Sequence, residues 1–166
     1  NVDSVDGDDV IAPGTSGSSK FAFAWDEIVN DKDGAVAVTG PEVAYNFTVS
    51  VDGSTCDPRI ANNGNIQWRL DGGAWGDWGT LLNSIKALSG DASGTKEYAP
   101  NTLPVGFTDA DEEHTIEWQW IFETVNAGGV VDAAQDQKDT DLGNALSTDT
   151  LADVTVVVTI SATQID

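Results

Sequence analysis

Apolar residues at every second position recur in five segments of this chain, and that period admits little besides half-buried antiparallel strands. Phe21, Phe23 and Trp25 form one row. Val43, Tyr45, Phe47, Val49 and Val51 form a second, with Ala44, Asn46, Thr48 and Ser50 between them. Ile66, Trp68 and Leu70 make a third, closed by Asp71-Gly72-Gly73, which reads as a hairpin turn. Ile116, Trp118, Trp120 and Phe122 make a fourth, with Thr115, Glu117 and Gln119 on the other face. Val154, Val156, Val158 and Ile160 make the last. Strands of this kind predict an all-β fold, an antiparallel β-sandwich. Two segments break the period. Thr80–Leu88 sets Leu81, Leu82, Ile85 and Leu88 on one helical face and stops at Gly90. Asp136–Leu146 places Leu142, Ala145 and Leu146 behind acidic residues suited to a helix start, with Gly143 weakening the pattern. Both predict short helices on the sandwich. Asn126–Gln135 is rich in Gly, Ala and Val and reads as a mobile loop. No repeat or internal boundary is visible, so the organisation expected is an arm and hinge over 1–14 and one domain over 15–166.

The chain has 166 residues, enough for a sizeable core, and 40% of them are hydrophobic, including 6 Trp. With 28 acidic and 7 basic side chains its net charge is −21. That field repels nucleic acid and anionic membrane and favours cations or high salt. No stretch approaches the ~20 apolar residues that span a bilayer. Methionine is absent, which fits a processed, exported chain whose signal peptide has been removed. The lone Cys56 has no internal disulfide partner, and an inert buried thiol is the expectation.

The inventory for catalysis is thin, and no enzyme is expected. The single histidine, His114, sits in Glu112-Glu113-His114-Thr115 at the entry to a strand, where a solvated imidazole is the simple reading. No Gly-x-Ser-x-Gly elbow, His-Glu-x-x-His or Cys/His cluster is present. Carboxylate pairs are numerous, but this many acids make chance pairs inevitable. Trp118 and Trp120 share a strand face with Ile116 and Phe122 and read as core. Trp75 and Trp78 lie in a Gly-rich stretch, where they are candidates for stacking on sugar rings. Hard cations want several loop oxygens. Asp31-Lys32-Asp33-Gly34 is a fragment of a calcium loop, so Asp31 and Asp33 are the candidate ligands, against the default of a solvated acidic loop. No other cofactor is implied. Asn46-Phe47-Thr48 is a glycosylation sequon, which makes Asn46 a candidate modification site in an exported protein.

The leader Asn1–Ser19, NVDSVDGDDVIAPGTSGSS, carries Val2, Val5, Val10 and Ile11 in an extended context and then breaks at Ala12-Pro13-Gly14. Two readings stand open: a frayed terminus, or a strand lent to a neighbouring subunit.

Six segments in order resemble one known group. Val10–Ser18 (VIAPGTSGS) resembles the "APGTSGS" opening of TasA/camelysin-like exported proteins. Thr39–Ala44 (TGPEVA) is similar to their "GTPEVA", and Lys96–Thr102 (KEYAPNT) to their "YAPNT". Ile116–Trp120 with Phe122-Glu123 resembles "W-x-W-P-F-E", with Ile121 where proline is usual. Asp139–Asn144 (DTDLGN) resembles "DTALG", and Val156–Asp166 resembles the terminal strand. The residue at 121 and the long Asn126–Gln135 loop are local departures.

The resemblance implies a jelly-roll-like sandwich secreted to the cell surface or biofilm matrix. It also implies a subunit that polymerises with copies of itself, head to tail, by donor-strand complementation into a pilus or matrix fibre. The metalloprotease activity ascribed to some camelysin-type members does not carry over, because no zinc motif is present. The donor strand would be Val2, Val5, Val10 and Ile11, and the hinge Ala12, Pro13 and Gly14. The expected acceptor groove is edged by the strands holding Ile116, Trp118, Trp120 and Val156, Val158, Ile160. A lent strand satisfies exposed sheet edges by β-augmentation. Each fully buried apolar side chain would contribute roughly 1.5–3 kcal/mol, offset by the cost of ordering the arm. Unlike donor and acceptor surfaces give an open filament rather than a ring. Neighbouring filaments or cell-surface glycans are further expected partners. The alternative is a monomeric secreted carbohydrate-binding or adhesive sandwich using Trp75 and Trp78.

Overall fold

The computed structural model describes residues 3–4, 12–24, 40–107, 111–122, 125, 128–148 and 151–165. Val2, Val5, Val10, Ile11, Trp25, Asp31 and Asp33 lie outside the described residues. In chain order the elements are β1 (Asp3–Ser4), β2 (Ser16–Ala24), β3 (Tyr45–Ser50), α1 (Pro58–Ala61), β4 (Ile66–Leu70), α2 (Trp78–Lys86), a 3-10 turn (Ala87–Ser89), β5 (Thr95–Tyr98), β6 (Asp111–Trp120), α3 (Ala133–Ser147) and β7 (Thr159–Gln164). They form a four-stranded sheet in the order β1-β2-β6-β4 and a three-stranded sheet in the order β5-β3-β7. The chain is thus β-rich, with few and short helices. Among the described residues no helix is long and apolar enough to cross a membrane.

Two compact units divide the chain. One comprises Asn1–Ser19, Thr55–Leu81 and Thr115–Thr155; the other Lys20–Ser54, Leu82–His114 and Val156–Asp166. In the first unit, the antiparallel ladder between β4 and β6 sets Ile66 opposite Trp120, Trp68 opposite Trp118 and Leu70 opposite Ile116. The period-two rows of the two strands therefore share a face, and Ile66, Trp68, Ile116, Trp118 and Trp120 are buried on it. On the other face Arg69 grips Glu117 through two bonds of 2.7 and 2.8 Å. Phe122, expected to continue the buried row, lies beyond β6 and is exposed. Ile121 N–H carries the same register one residue further, donating to the Asn65 carbonyl at 2.9 Å, and Phe122 lies past it. After β4 the chain reverses where the sequence predicts. Asp71 and Gly72 both have positive φ, 50° and 67°, as a type I′ turn requires, and Trp68 then bridges to Gly76.

α3 covers the predicted helix and extends it at both ends. The Asp132 side chain accepts from the Ala134 and Gln135 amides, which starts the helix earlier than the apolar pattern suggests. Leu142 and Ala145 are buried, together with Asp139. Gly143 is tolerated. The expected loop Asn126–Gln135 is correspondingly shorter: Ala133–Gln135 belong to α3, and Val125 pairs with Val131. The single turn α1, capped by Asp57 with proline at its start, was not expected, since four residues carry no readable period.

In the second unit β3 runs between β5 and β7, antiparallel to both. Tyr45, Phe47 and Val49 are buried, while Val43, expected in the same row, precedes the strand and is exposed. β7 begins later than the apolar alternation. Ile160 sits in it opposite Val49, but Val156 and Val158 come before it and are half-buried. The Ser54 hydroxyl takes the place of a ladder there, accepting from Val157 N at 2.9 Å and donating to its carbonyl at 3.2 Å. β5 was also not expected, because Thr95–Tyr98 buries only Tyr98. Phe23 of β2 stacks on Phe107 at 5.7 Å, and Phe107 meets Phe47 of β3 edge-on at 5.5 Å. His114 is buried rather than solvated. Phe21 and Phe23 each lie 5.3 Å from its ring, because the neighbouring strand presents its aromatic row to it.

The helix expected over Thr80–Leu88 is found as α2 plus the 3-10 turn, with Leu81 and Ile85 buried. Gly90 ends it at φ 91°, a conformation that only glycine adopts without strain.

Candidate functional site

The arm and the end of β6 make the most specific local construction in the first unit. Ala12-Pro13-Gly14-Thr15 is a tight turn. Pro13 presets its first corner, Gly14 takes φ 90° at the second, and Thr15 N–H returns to the Ala12 carbonyl at 3.0 Å, the pattern of a type II turn. The Thr15 hydroxyl donates to the same carbonyl at 2.7 Å and accepts from Ala12 N–H at 3.1 Å. The turn is fastened to Trp120: Gly14 N–H donates to its carbonyl at 2.7 Å, and Trp120 N–H donates to the Thr15 carbonyl at 2.9 Å. The hinge residues therefore form a hydrogen-bonded corner. Upstream, β1 lies antiparallel on β2, with Asp3 opposite Ser18 and Ser4 opposite Gly17. β1 is thus one of the two outermost described strands of its sheet, β4 being the other.

Trp120 is held from its side chain as well. Its indole Nε1 donates to Asp139 Oδ1 at 3.0 Å. The same carboxylate accepts from Asn63 Nδ2 at 2.9 Å and from Asn65 Nδ2 at 2.5 Å. Gln135 Nε2 bonds Asn63 Oδ1 at 2.6 Å, and Asn63 Oδ1 also accepts the Asn65 amide at 2.9 Å. A buried carboxylate is costly unless its lone pairs are filled, and here amides and an indole fill them. None of these donors titrates near neutral pH, so the group works as a fastening between α3, β6 and the 63–65 loop. Sequence reasoning missed it. Asn63 and Asn65 lie far from Asp139 in the chain, and no pattern of period links them to it. Beside it a cleft of about 380 Å³ opens between Pro13, Phe122 and the α3 residues Asp136, Asp139 and Asn144.

The remaining predicted residues fall as follows. Ile116, Trp118 and Trp120 belong to an interior strand, flanked by β2 and β4, in the first unit. Val156, Val158 and Ile160 belong to the second unit, and β7 is the outermost described strand of its sheet. Trp75 carries the Arg69 guanidinium 4.2 Å over its ring. Trp78 starts α2, set edge-on to Trp68 at 5.3 Å. Asn46 lies mid-strand in β3, opposite Glu97 on one side and Thr163 on the other. Cys56 is half-buried. Burial, with Asp57 close by, pushes its thiol up to about 11, so it is protonated at neutral pH. Asp57 is held well below the usual carboxylate range, first by the Arg59 side chain at 2.8 and 3.0 Å, then by the Arg59 and Ala152 amides. Among the described residues no group of three or more His, Cys, Asp or Glu side chains is placed to hold a metal ion.

Comparison with family models, with curated proteins and with solved structures finds no match to this chain.

Proposed function

We propose that this chain is the structural subunit of an extracellular filament, a pilus or biofilm-matrix fibre. Each copy lends its N-terminal arm to the next, and the chain is exported to work at the cell surface. The observation that carries the reading is the pairing of Asp3–Ser4 with β2. An arm that completes a sheet edge in its own chain has the backbone geometry to complete the same edge in a neighbour. Among the described residues two pairs join the arm to β2, with each net hydrogen bond worth about 1 kcal/mol, a scale that permits exchange. The Ala12–Thr15 corner supports the reading by fixing where the arm leaves the body. The sheets are proposed to face one another as a jelly-roll-like sandwich, an arrangement supported by the Phe23–Phe107–Phe47 contacts. The resemblance to TasA/camelysin-like proteins points the same way. A monomeric glycan-binding module using Trp75 is less favoured, since Arg69 covers a face of that ring.

The experiment is negative-stain electron microscopy of the full chain beside a form lacking residues 1–11. Uniform thin filaments from the first and single particles from the second are expected. Filaments of equal abundance from both would overturn the donated strand, and single particles from both across salt and calcium would overturn the filament itself.

A further inference from the structure

The two sheets end in four outer strands, β1 and β4 in one, β5 and β7 in the other. An outer strand presents a row of N–H and C=O groups that another chain can pair with, and proteins blunt such rows with short strands, charges or covering segments. Three of the four are blunted here. β1 is two residues long and carries Asp3. In β4, Ile121 N–H donates to the Asn65 carbonyl and Asp71 N–H to the Thr115 carbonyl, so Ile66, Trp68 and Leu70 turn their backbone groups away from β6. Those groups are taken: Ile66 N–H donates to Asn63 at 3.2 Å, Trp68 exchanges bonds of 2.8 and 2.9 Å with Gly76, and the Leu70 carbonyl accepts from Gly73 at 2.9 Å. β5 carries Lys96 and Glu97 in four residues, and the Ser93 hydroxyl accepts from Thr95 N–H at 3.3 Å and donates to its carbonyl at 3.2 Å.

β7 has none of these devices. Ile165 N–H donates to the Ala44 carbonyl at 3.0 Å. The register then makes Thr163 with Asn46, Ser161 with Thr48 and Thr159 with Ser50 the bonded pairs. Ile160, Ala162 and Gln164 therefore point their N–H and C=O groups outward, and among the described residues no backbone pairs with them. Of the four outer strands β7 is the one without a charged side chain, and residues 154–165 hold neither a charge nor a proline.

Alternating donors and acceptors along such an edge are satisfied together by another extended backbone. The arm would bring Asp3, Asp6, Asp8 and Asp9 to the edge, and Asp3–Ser4 already pairs with β2. A second β7 brings no charge and matches itself. We propose that β7 is a self-association edge, on which the β7 strands of two copies pair antiparallel about a two-fold axis at Ala162 and join two three-stranded sheets into one. In that register Ala162 faces its counterpart and Ile160 faces Gln164, so every outward N–H and C=O finds a partner. Between them Ser161 faces Thr163, at the positions where side chains come closest and where hydroxyl pairs hydrogen-bond. The contact is isologous and closes at two copies. It uses neither the arm nor β2 and does not rest on the donated-strand reading. The −21 charge of each copy opposes approach, and raising ionic strength from about 0.1 M to about 1 M shortens the screening length from about 10 Å to about 3 Å. Pairing therefore strengthens with salt.

The test is sedimentation velocity of the full chain at both ionic strengths, below the concentration at which filaments form, with amide hydrogen exchange on the same samples. The wild type should shift toward twice the single-copy mass at high salt. The amides of Ile160, Ala162 and Gln164 should then exchange more slowly, while those of Ser161 and Thr163 are protected in both states. Ala162→Pro removes an N–H that a single copy leaves to solvent, a place where proline is tolerated, and should stay at single-copy mass with unchanged far-UV circular dichroism. Ser161→Asp with Thr163→Asp sets carboxylates opposite one another and should also lose pairing, whereas Ser161→Lys with Thr163→Asp sets opposite charges together and should keep it. The form lacking residues 1–11 should still pair. A wild type that stays single at high salt overturns the proposal, as does pairing that leaves the three outward amides in fast exchange. Equal loss of pairing in both double variants overturns the register. Pairing that vanishes with the arm overturns the proposal by assigning the edge to the arm. Paired copies that never yield filaments would remove the donated-strand reading and leave this one standing.

Discussion

Trp118 and Trp120 occupy the same face of one strand and look equivalent in the sequence, yet they should respond differently to the same substitution. Trp120 Nε1 is bonded to Asp139, whereas Trp118 Nε1 is buried with no hydrogen-bond partner among the described residues. Trp120→Phe should cost about 1–3 kcal/mol beyond its lost packing, because Asp139 loses a donor. Trp118→Phe removes a donor that is already unsatisfied and should cost clearly less. Urea unfolding of the two variants at neutral pH measures the difference, and equal losses would contradict the fastening role of Asp139. Asp57 gives a pH prediction. Its pKa is depressed in the fold, chiefly by the Arg59 side chain, so it binds fewer protons folded than unfolded. The stability it contributes is complete above the unfolded carboxylate value near 4 and is lost as pH falls through the lower folded value. Asp57→Asn should therefore be less stable than wild type at neutral pH, with the gap closing in acid. A gap that is constant between neutral pH and about pH 2 would refute the assignment.

Among the elements, the Ala12–Thr15 corner depends most on a single residue. Gly14 holds φ 90°, so Gly14→Ala introduces strain of about 1 kcal/mol or more. The corner's bonds to Trp120 should loosen, and hydrogen exchange at the Trp120 amide should quicken while exchange in β3 stays unchanged. Helix α3 depends on its start: Asp132→Ala should cost about 1 kcal/mol, read as a lower unfolding midpoint. The strands were legible because a buried face imposes period two. Their ends were not: Phe122 and Val43 lie just outside their strands, and Val156 stands before β7, where a contact from elsewhere in the chain intervenes. There the Ser54 hydroxyl takes Val157. α1 and β5 were not legible, being too short and too polar to carry a period.

For the molecule as a whole, charge would set the conditions of the assembly proposed above. Copies bearing −21 each approach only when that charge is screened, so filament yield should rise with ionic strength or divalent cation. Equal yield in low-salt buffer with chelator and in high salt with calcium, read by pelleting, would refute this. What the sequence determined by itself was the type of structure: apolar period two gives strands, period 3.6 with a glycine stop gives α2, and Asp71-Gly72 gives the turn. These are local matters, settled by backbone sterics and by which face a side chain presents. Only the tertiary structure decided that His114 is buried, that Asn63, Asn65, Gln135 and Asp139 gather around Trp120, and that Asp3–Ser4 pairs with β2. Each of these joins residues distant in the chain. The energy of such a contact depends on a distance that folding sets and that no local pattern records.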